Sequence, residues 1–334
     1  TREGYHFVGW FKDEIDASAP YVRGKYLCGE PLTSATADDK DKILYAKWVK
    51  NDVYSHFQGK KAVFVGDSVS TLHGYAAVNR QVYTSNIFYT EAKAAEQGIT
   101  ATNTWWGQLV QALDMSLLSV NAVAGSPVTD SEPSITYDVR AMSSTARIDD
   151  LDVNGTPDVI FIFGGINDFN GNTKAPIDDY DPNASYLTDE LDLTSDYFPT
   201  FAEGYATMLR RMRHYYPDAE IVAIGPYIAA SDRDAYKPVF VKGNTTISNL
   251  CARFNVPYLN LMNTQLPYWA NGVKLLCDSY HPNQAGFTEF ANYVLENYVP
   301  ACAHEHKTAL TGVVAATCTT DGYSGDCTCE DCGE

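Results

Sequence analysis

A chain of 334 residues exceeds one ordinary domain and leaves room for a main domain with smaller attachments. Its formal net charge of -18 excludes a nucleic-acid surface, which needs clustered Lys and Arg, and disfavours an anionic membrane face. No run approaches the roughly 18 consecutive apolar residues of a membrane span.

The first segment, residues 1–50, opens inside a strand-forming stretch, so the chain is expected to be a piece of a longer protein. GYHFVGWF (Gly4 to Phe11) and ILYAKWV (Ile43 to Val49) are aromatic, β-branched runs suited to strands, joined by a polar, Gly- and Pro-containing loop. About 50 residues make a marginal core, which suggests one unit of an array. The wording of this segment is similar to the β-grasp-like repeats of internalin B type in bacterial surface proteins. That resemblance implies a spacer or adhesion module.

The second segment, residues 51–300, alternates strand and helix signals. KAVFVG (Lys61 to Gly66), LLSVNA (Leu117 to Ala122), DVIFIFG (Asp158 to Gly164), EIVAIGP (Glu220 to Pro226) and VPYLNL (Val256 to Leu261) are short apolar runs. Strands covered on both faces of a parallel sheet have this composition. Thr200 is a candidate N-cap, with Glu203 at the capping-box position and Phe201, Tyr205, Met208, Leu209 and Met212 on one helical face. Phe287, Phe290, Ala291, Val294, Leu295 and Tyr298 predict a last helix. The alternation predicts a flavodoxin-like three-layer α/β/α sandwich, whose ligands bind at the carboxyl ends of the strands.

Three motifs sit at such places. GDSVS (Gly66 to Ser70) follows the first strand of this segment, GGIND (Gly164 to Asp168) the third, and DSYHPN (Asp278 to Asn283) precedes the last helix. A serine becomes a nucleophile only when a base takes its proton and a third group orients that base. Ser68, His281 and Asp278 fit those parts. A developing oxyanion needs donors, for which the Ser68 and Gly125 backbones and the Asn167 amide are candidates. No cofactor is required by this chemistry. His73, Trp105 and Trp106 are further pocket candidates. Asp67 and Asp168 read as braces of their loops. The stretches 81–102 and 170–199 carry no legible role; Asp178, Asp179 and Asp181 in the second read as a solvated acidic loop.

Ser68 in GDSVS, Gly125 in NAVAGS, Asn167 in GGIND and His281 in DSYHPN match in order the four blocks of the SGNH/GDSL hydrolase family, which this segment resembles over about Gly59 to Val299. The resemblance implies nucleophile, two oxyanion donors and base at those positions, with Asp278 completing the set. GDSVSTLHGY followed by TWW and NAVAGS looks like a bacterial subgroup common in polysaccharide-degrading species. It implies a secreted or cell-surface esterase, of Gram-positive type by its flanks, acting on short acyl esters such as O-acetylated glycans. A non-catalytic glycan-binding adhesin, a lipase and a thioesterase stand as alternatives.

The third segment, residues 301–334, holds five of the eight cysteines. It resembles short Cys-rich repeats near the ends of large surface proteins of Firmicutes. Cys302, Cys318, Cys329 and Cys332 suit a four-thiolate zinc site, whereas an oxidising exterior favours disulfides; Cys327 fits neither arrangement neatly.

Overall fold

A computed structural model describes residues 1–12, 32, 34, 44–75, 86–132, 141–171, 173–228, 233–264, 266, 275–300 and 311–312. The chain divides into two compact units, Thr1–Tyr298 and Val299–Glu334. In the second, only residues 299–300 and 311–312 are described, so Cys302, Cys318, Cys327, Cys329 and Cys332 lie outside the described residues. All that follows concerns the first unit.

Strands β1 (Tyr5–Lys12) and β2 (Leu44–Lys50) pair antiparallel, with a bulge between Phe7 and Gly9. Helix α1 (Asn51–Phe57) follows at once and buries Val53 and Phe57. The central sheet comprises β3 (Lys61–Gly66), β4 (Ser116–Ala122), β5 (Val159–Phe163), β6 (Glu220–Gly225) and β7 (Tyr258–Asn260). Its order is β4-β3-β5-β6-β7 and every pairing is parallel. This is the flavodoxin-like order, and its switch point lies between β3 and β5.

The strands are continuous apolar runs because helices cover both sides; every residue of β5 is buried. The helices are α2 (Glu91–Gln97), α3 (Trp105–Ala112), α4 (Thr145–Asp149), α5 (Ile166–Phe169), α6 (Phe201–Tyr215), α7 (Arg233–Arg253) and α8 (Gln284–Asn297). Helix α3 packs on α8, while α6 packs on α4 and α7. Thr200 caps α6 by accepting the Glu203 N–H at 3.3 Å, as its sequence position predicts. Among the described residues, no helix is long and apolar enough to cross a membrane.

At the amino end of the sheet, away from the motifs, Glu220 at the start of β6 ties three elements together. Its carboxylate lies 2.7 Å from His56 Nε2 and 2.8 Å from Lys60 Nζ, and it accepts the Tyr298 hydroxyl. Burial works to raise its pKa, but the bonds from His56, Lys60 and Tyr298 outweigh burial and hold it at about 2. The folded value lies below the ordinary 4.5, so this stabilisation is complete above pH 4.5 and is lost as pH falls towards 2. Glu220→Gln is therefore expected to cost about 2 kcal/mol at pH 7. Thermal melts of the two proteins should differ at neutral pH and converge as the pH approaches 2; a pH-independent gap would contradict the assignment.

Candidate active site

The chain leaves β3 at Gly66, where a Cβ would collide with the Ser70 side chain. Asp67 Oδ1 then accepts the Val69 N–H at 2.9 Å and winds Ser68–Ser70 into a short 3-10 turn. Thr71 Oγ1 donates to the Ser68 carbonyl at 2.8 Å and accepts the Phe88 N–H at 3.0 Å, so the turn is braced from outside. Ser68 is held half-buried at the carboxyl end of the sheet.

His281 meets it from the loop before α8. Its Nε2 is 2.8 Å from Ser68 Oγ, and its Nδ1 is 2.8 Å from Asp278 Oδ2. Asp278 Oδ1 accepts the backbone N–H groups of Tyr280 and His281, both at 2.7 Å. That local turn brings a carboxylate and an imidazole three residues apart face to face. Burial pushes the Asp278 pKa up, but His281 and the two backbone donors prevail and hold it at about 2. Asp278 is thus a carboxylate at neutral pH and selects the tautomer with hydrogen on Nδ1, which leaves Nε2 as an acceptor towards Ser68.

Three aromatic side chains fix this loop. Tyr227 donates its hydroxyl to the Tyr280 carbonyl at 2.5 Å, and Tyr89 donates to the Pro282 carbonyl at 2.6 Å. The Phe88 ring stacks on the His281 imidazole with centroids 3.3 Å apart and planes 9° from parallel. These contacts restrict the ring's rotation, which a proton shuttle requires.

Across the cleft, Gly125 sits in the turn after β4 at φ +79°, a left-handed conformation that favours glycine. Asn167, in α5 just beyond β5, donates Nδ2 to the Ser126 carbonyl at 2.9 Å. Asp168 accepts the N–H groups of Val128 and Thr129 at 2.8 and 3.1 Å. The loops after β4 and β5 are thereby joined. Burial pushes Asp67 and Asp168 each up to about 7, and both carboxyls serve as loop braces. Ser68, Gly125, Asn167 and His281 line one cleft of about 340 Å³, with Phe88 and Tyr280 among its walls. A hydroxyl bonded to an oriented imidazole, opposite an amide and a glycine turn, can attack a carbonyl and receive the resulting oxyanion.

Three expected pocket residues require correction. Trp105 and Trp106 are 0% and 1% exposed and lie in the core. Trp105 stacks on Phe290 at 4.4 Å, and the indoles donate to the Ser70 side chain and carbonyl. Both indoles are enclosed, so neither reaches a substrate. His73 is exposed and is not among the cleft-lining residues. Phe88 and Tyr89, by contrast, come from the illegible stretch 81–102, of which residues 81–85 lie outside the described set. Asn170, at the start of the acidic loop, also lines the cleft, while Asp178 in that loop caps α6 by accepting the Ala202 N–H at 2.8 Å. Among the described residues, no group of three or more His, Cys, Asp or Glu is placed to hold a metal ion.

Several known structures resemble the chain. A protein from Bacteroides ovatus described as a GDSL-like lipase shares 21% identity and a TM-score of 0.49, covering 71% of this chain and 96% of that one. An aryl esterase from M. smegmatis shares 15% identity and a TM-score of 0.44, covering 71% and 97%. A catalytic mutant of an acetylxylan esterase from Geobacillus stearothermophilus shares 17% identity and a TM-score of 0.44, covering 72% and 94%. No curated protein sequence matches significantly. The family model described as GDSL-like Lipase/Acylhydrolase matches residues 60–298, which hold the whole central sheet and every cleft residue named above. The chain therefore belongs to the GDSL-like lipase/acylhydrolase family and is a serine ester hydrolase.

Proposed function

We propose that Ser68 is the nucleophile, His281 its base and Asp278 the orienting carboxylate, and that Ser68, Gly125 and Asn167 supply the oxyanion donors. The observation carrying this reading is the unbroken run from Asp278 Oδ2 through both His281 nitrogens to Ser68 Oγ, 2.8 Å at each step. Ser68 Oγ attacks the ester carbonyl as its proton passes to His281 Nε2. The carbonyl oxygen becomes an oxyanion, which collapses as the imidazolium returns that proton to the leaving alkoxide. Water, deprotonated by His281, then attacks the acyl enzyme and frees the acid and Ser68.

The preferred substrate in this reading is a short acyl ester, in particular an O-acetyl group on a carbohydrate, outside the cell. The leaving alcohol takes its proton from His281, so it must lie on the imidazole side of Ser68. Tyr280 stands there, 6.3 Å from the His281 ring and 38% exposed at the cleft wall, a surface on which the apolar face of a sugar ring can rest. The extracellular setting and the division into a surface-repeat module (1–50), hydrolase domain (51–300) and Cys-rich module (301–334) rest on the resemblance of the flanking segments.

Hydrolysis of p-nitrophenyl acetate, butyrate and octanoate tests the reading. Acetate is expected to be cleaved fastest, and Ser68→Ala to abolish turnover; full activity in that variant, or preference for octanoate, would contradict it. Asn167→Ala is expected to lower kcat by about 10²–10³ with KM little changed, because in this reading the amide serves the oxyanion rather than the ground state. An effect confined to KM would remove Asn167 from the oxyanion site.

A further inference from the structure

Arg147 was not singled out by any motif, yet it lies beneath the cleft and is 1% exposed. It belongs to α4, between the second and third motif-bearing strands. Its guanidinium reaches both loops that meet at the cleft. Nη2 donates to the Gly66 carbonyl at 3.1 Å and to the Asn121 carbonyl at 2.7 Å. Nε donates to Asn121 Oδ1 at 2.9 Å, and Asn121 Nδ2 returns a bond to the Arg147 carbonyl at 3.1 Å. Nη1 donates to Ser126 Oγ at 2.5 Å.

These acceptors have a common meaning. Gly66 is two residues before Ser68 and ends β3. Asn121 is in the last turn-ward part of β4. Ser126 follows Gly125, and its carbonyl receives the Asn167 amide. One planar fork therefore spans the end of the nucleophile strand and the glycine turn, and reaches Asn167 through Ser126. A lysine ammonium keeps the charge but lacks a fork able to hold separated acceptors at fixed angles.

We infer that Arg147 is a positioning residue that sets the distance between Ser68 and the Gly125 and Asn167 donors through Gly66 and Ser126. This rests on the assignment of Gly125 and Asn167 as oxyanion donors. It adds a residue that touches no substrate and acts through the backbone of those that do. A displacement of about 1 Å at reacting groups can lower a rate by ~10²-fold, so the effect belongs in kcat and not in substrate binding.

The experiment compares Arg147→Lys, Ser126→Ala, Asn167→Ala and the double variant Ser126→Ala/Asn167→Ala on p-nitrophenyl acetate, each checked for folding by circular dichroism and thermal melting. Arg147→Lys is expected to lower kcat by about 10–100-fold with KM within about twofold of the parent. Ser126→Ala, which deletes the hydroxyl's bonds to Arg147 and to the Pro127 carbonyl and leaves the Asn167 contact to the main chain, should lower kcat by a smaller factor. Its effect should shrink further when Asn167 is already alanine, since both changes act on the same donors. Wild-type kcat in folded Arg147→Lys and Ser126→Ala, or single effects that simply multiply in the double variant, would overturn the inference. If Arg147→Lys does not fold, Ser126→Ala and the double variant decide alone. Unchanged kcat in Asn167→Ala would instead bring down the oxyanion assignment, and this inference with it.

Discussion

The hydrogen bond between Ser68 Oγ and His281 Nε2 joins residues 213 positions apart, and the chemistry proposed for the cleft depends on it. Neither side chain can make it unaided. Ser68 is placed by a 3-10 turn that Asp67 winds at the end of β3, and His281 by a turn that Asp278 winds before α8. The two turns meet because the parallel sheet delivers its carboxyl ends to one edge. Val65 pairs with Asn121 on one side and with Ile162 on the other, so Ser68, Gly125 and Asn167 all emerge at nearly the same level.

Electrostatics divide the carboxylates near the site into two kinds. Asp278 is kept ionised by its imidazole and two backbone donors, and so can hold a neutral or protonated His281. Asp67 and Asp168 are pushed up to about 7 by burial, each accepting backbone N–H groups that shape a loop. Their folded pKa lies above the ordinary 3.8, so any stability linked to their protonation is present at low pH and fades as pH rises through 7. The histidine loop is held besides by neutral clamps, the phenols of Tyr89 and Tyr227. Such supporting contacts decide whether groups of the right type are also in the right place.

What was legible in the chain follows from how local each signal is. The strands of the sheet announce themselves as apolar runs, and Thr200 with Glu203 marks a helix start, because these depend on neighbours a few residues away. Asp278 and His281 are likewise a local pair. Trp105 and Trp106 mislead because two adjacent indoles at a helix start carry no local sign of whether they are enclosed or face a cleft. Phe88 and Tyr89 act on residues almost two hundred positions away, from the loop just before α2, where nothing local signals that contact. Arg147 was hidden for another reason: arginine is ordinarily at the surface, and nothing in STARIDD signals that its fork is enclosed.

The central claim is that Ser68 is activated by His281 inside a formed cleft. Treating the protein with a fluorophosphonate at neutral pH and locating the adduct by peptide mass spectrometry tests this most directly. The account predicts a single adduct on the peptide carrying Ser68, formed rapidly in the parent protein and barely in His281→Ala. An adduct on a different serine, or equal labelling of Ser68 with and without His281, would contradict it.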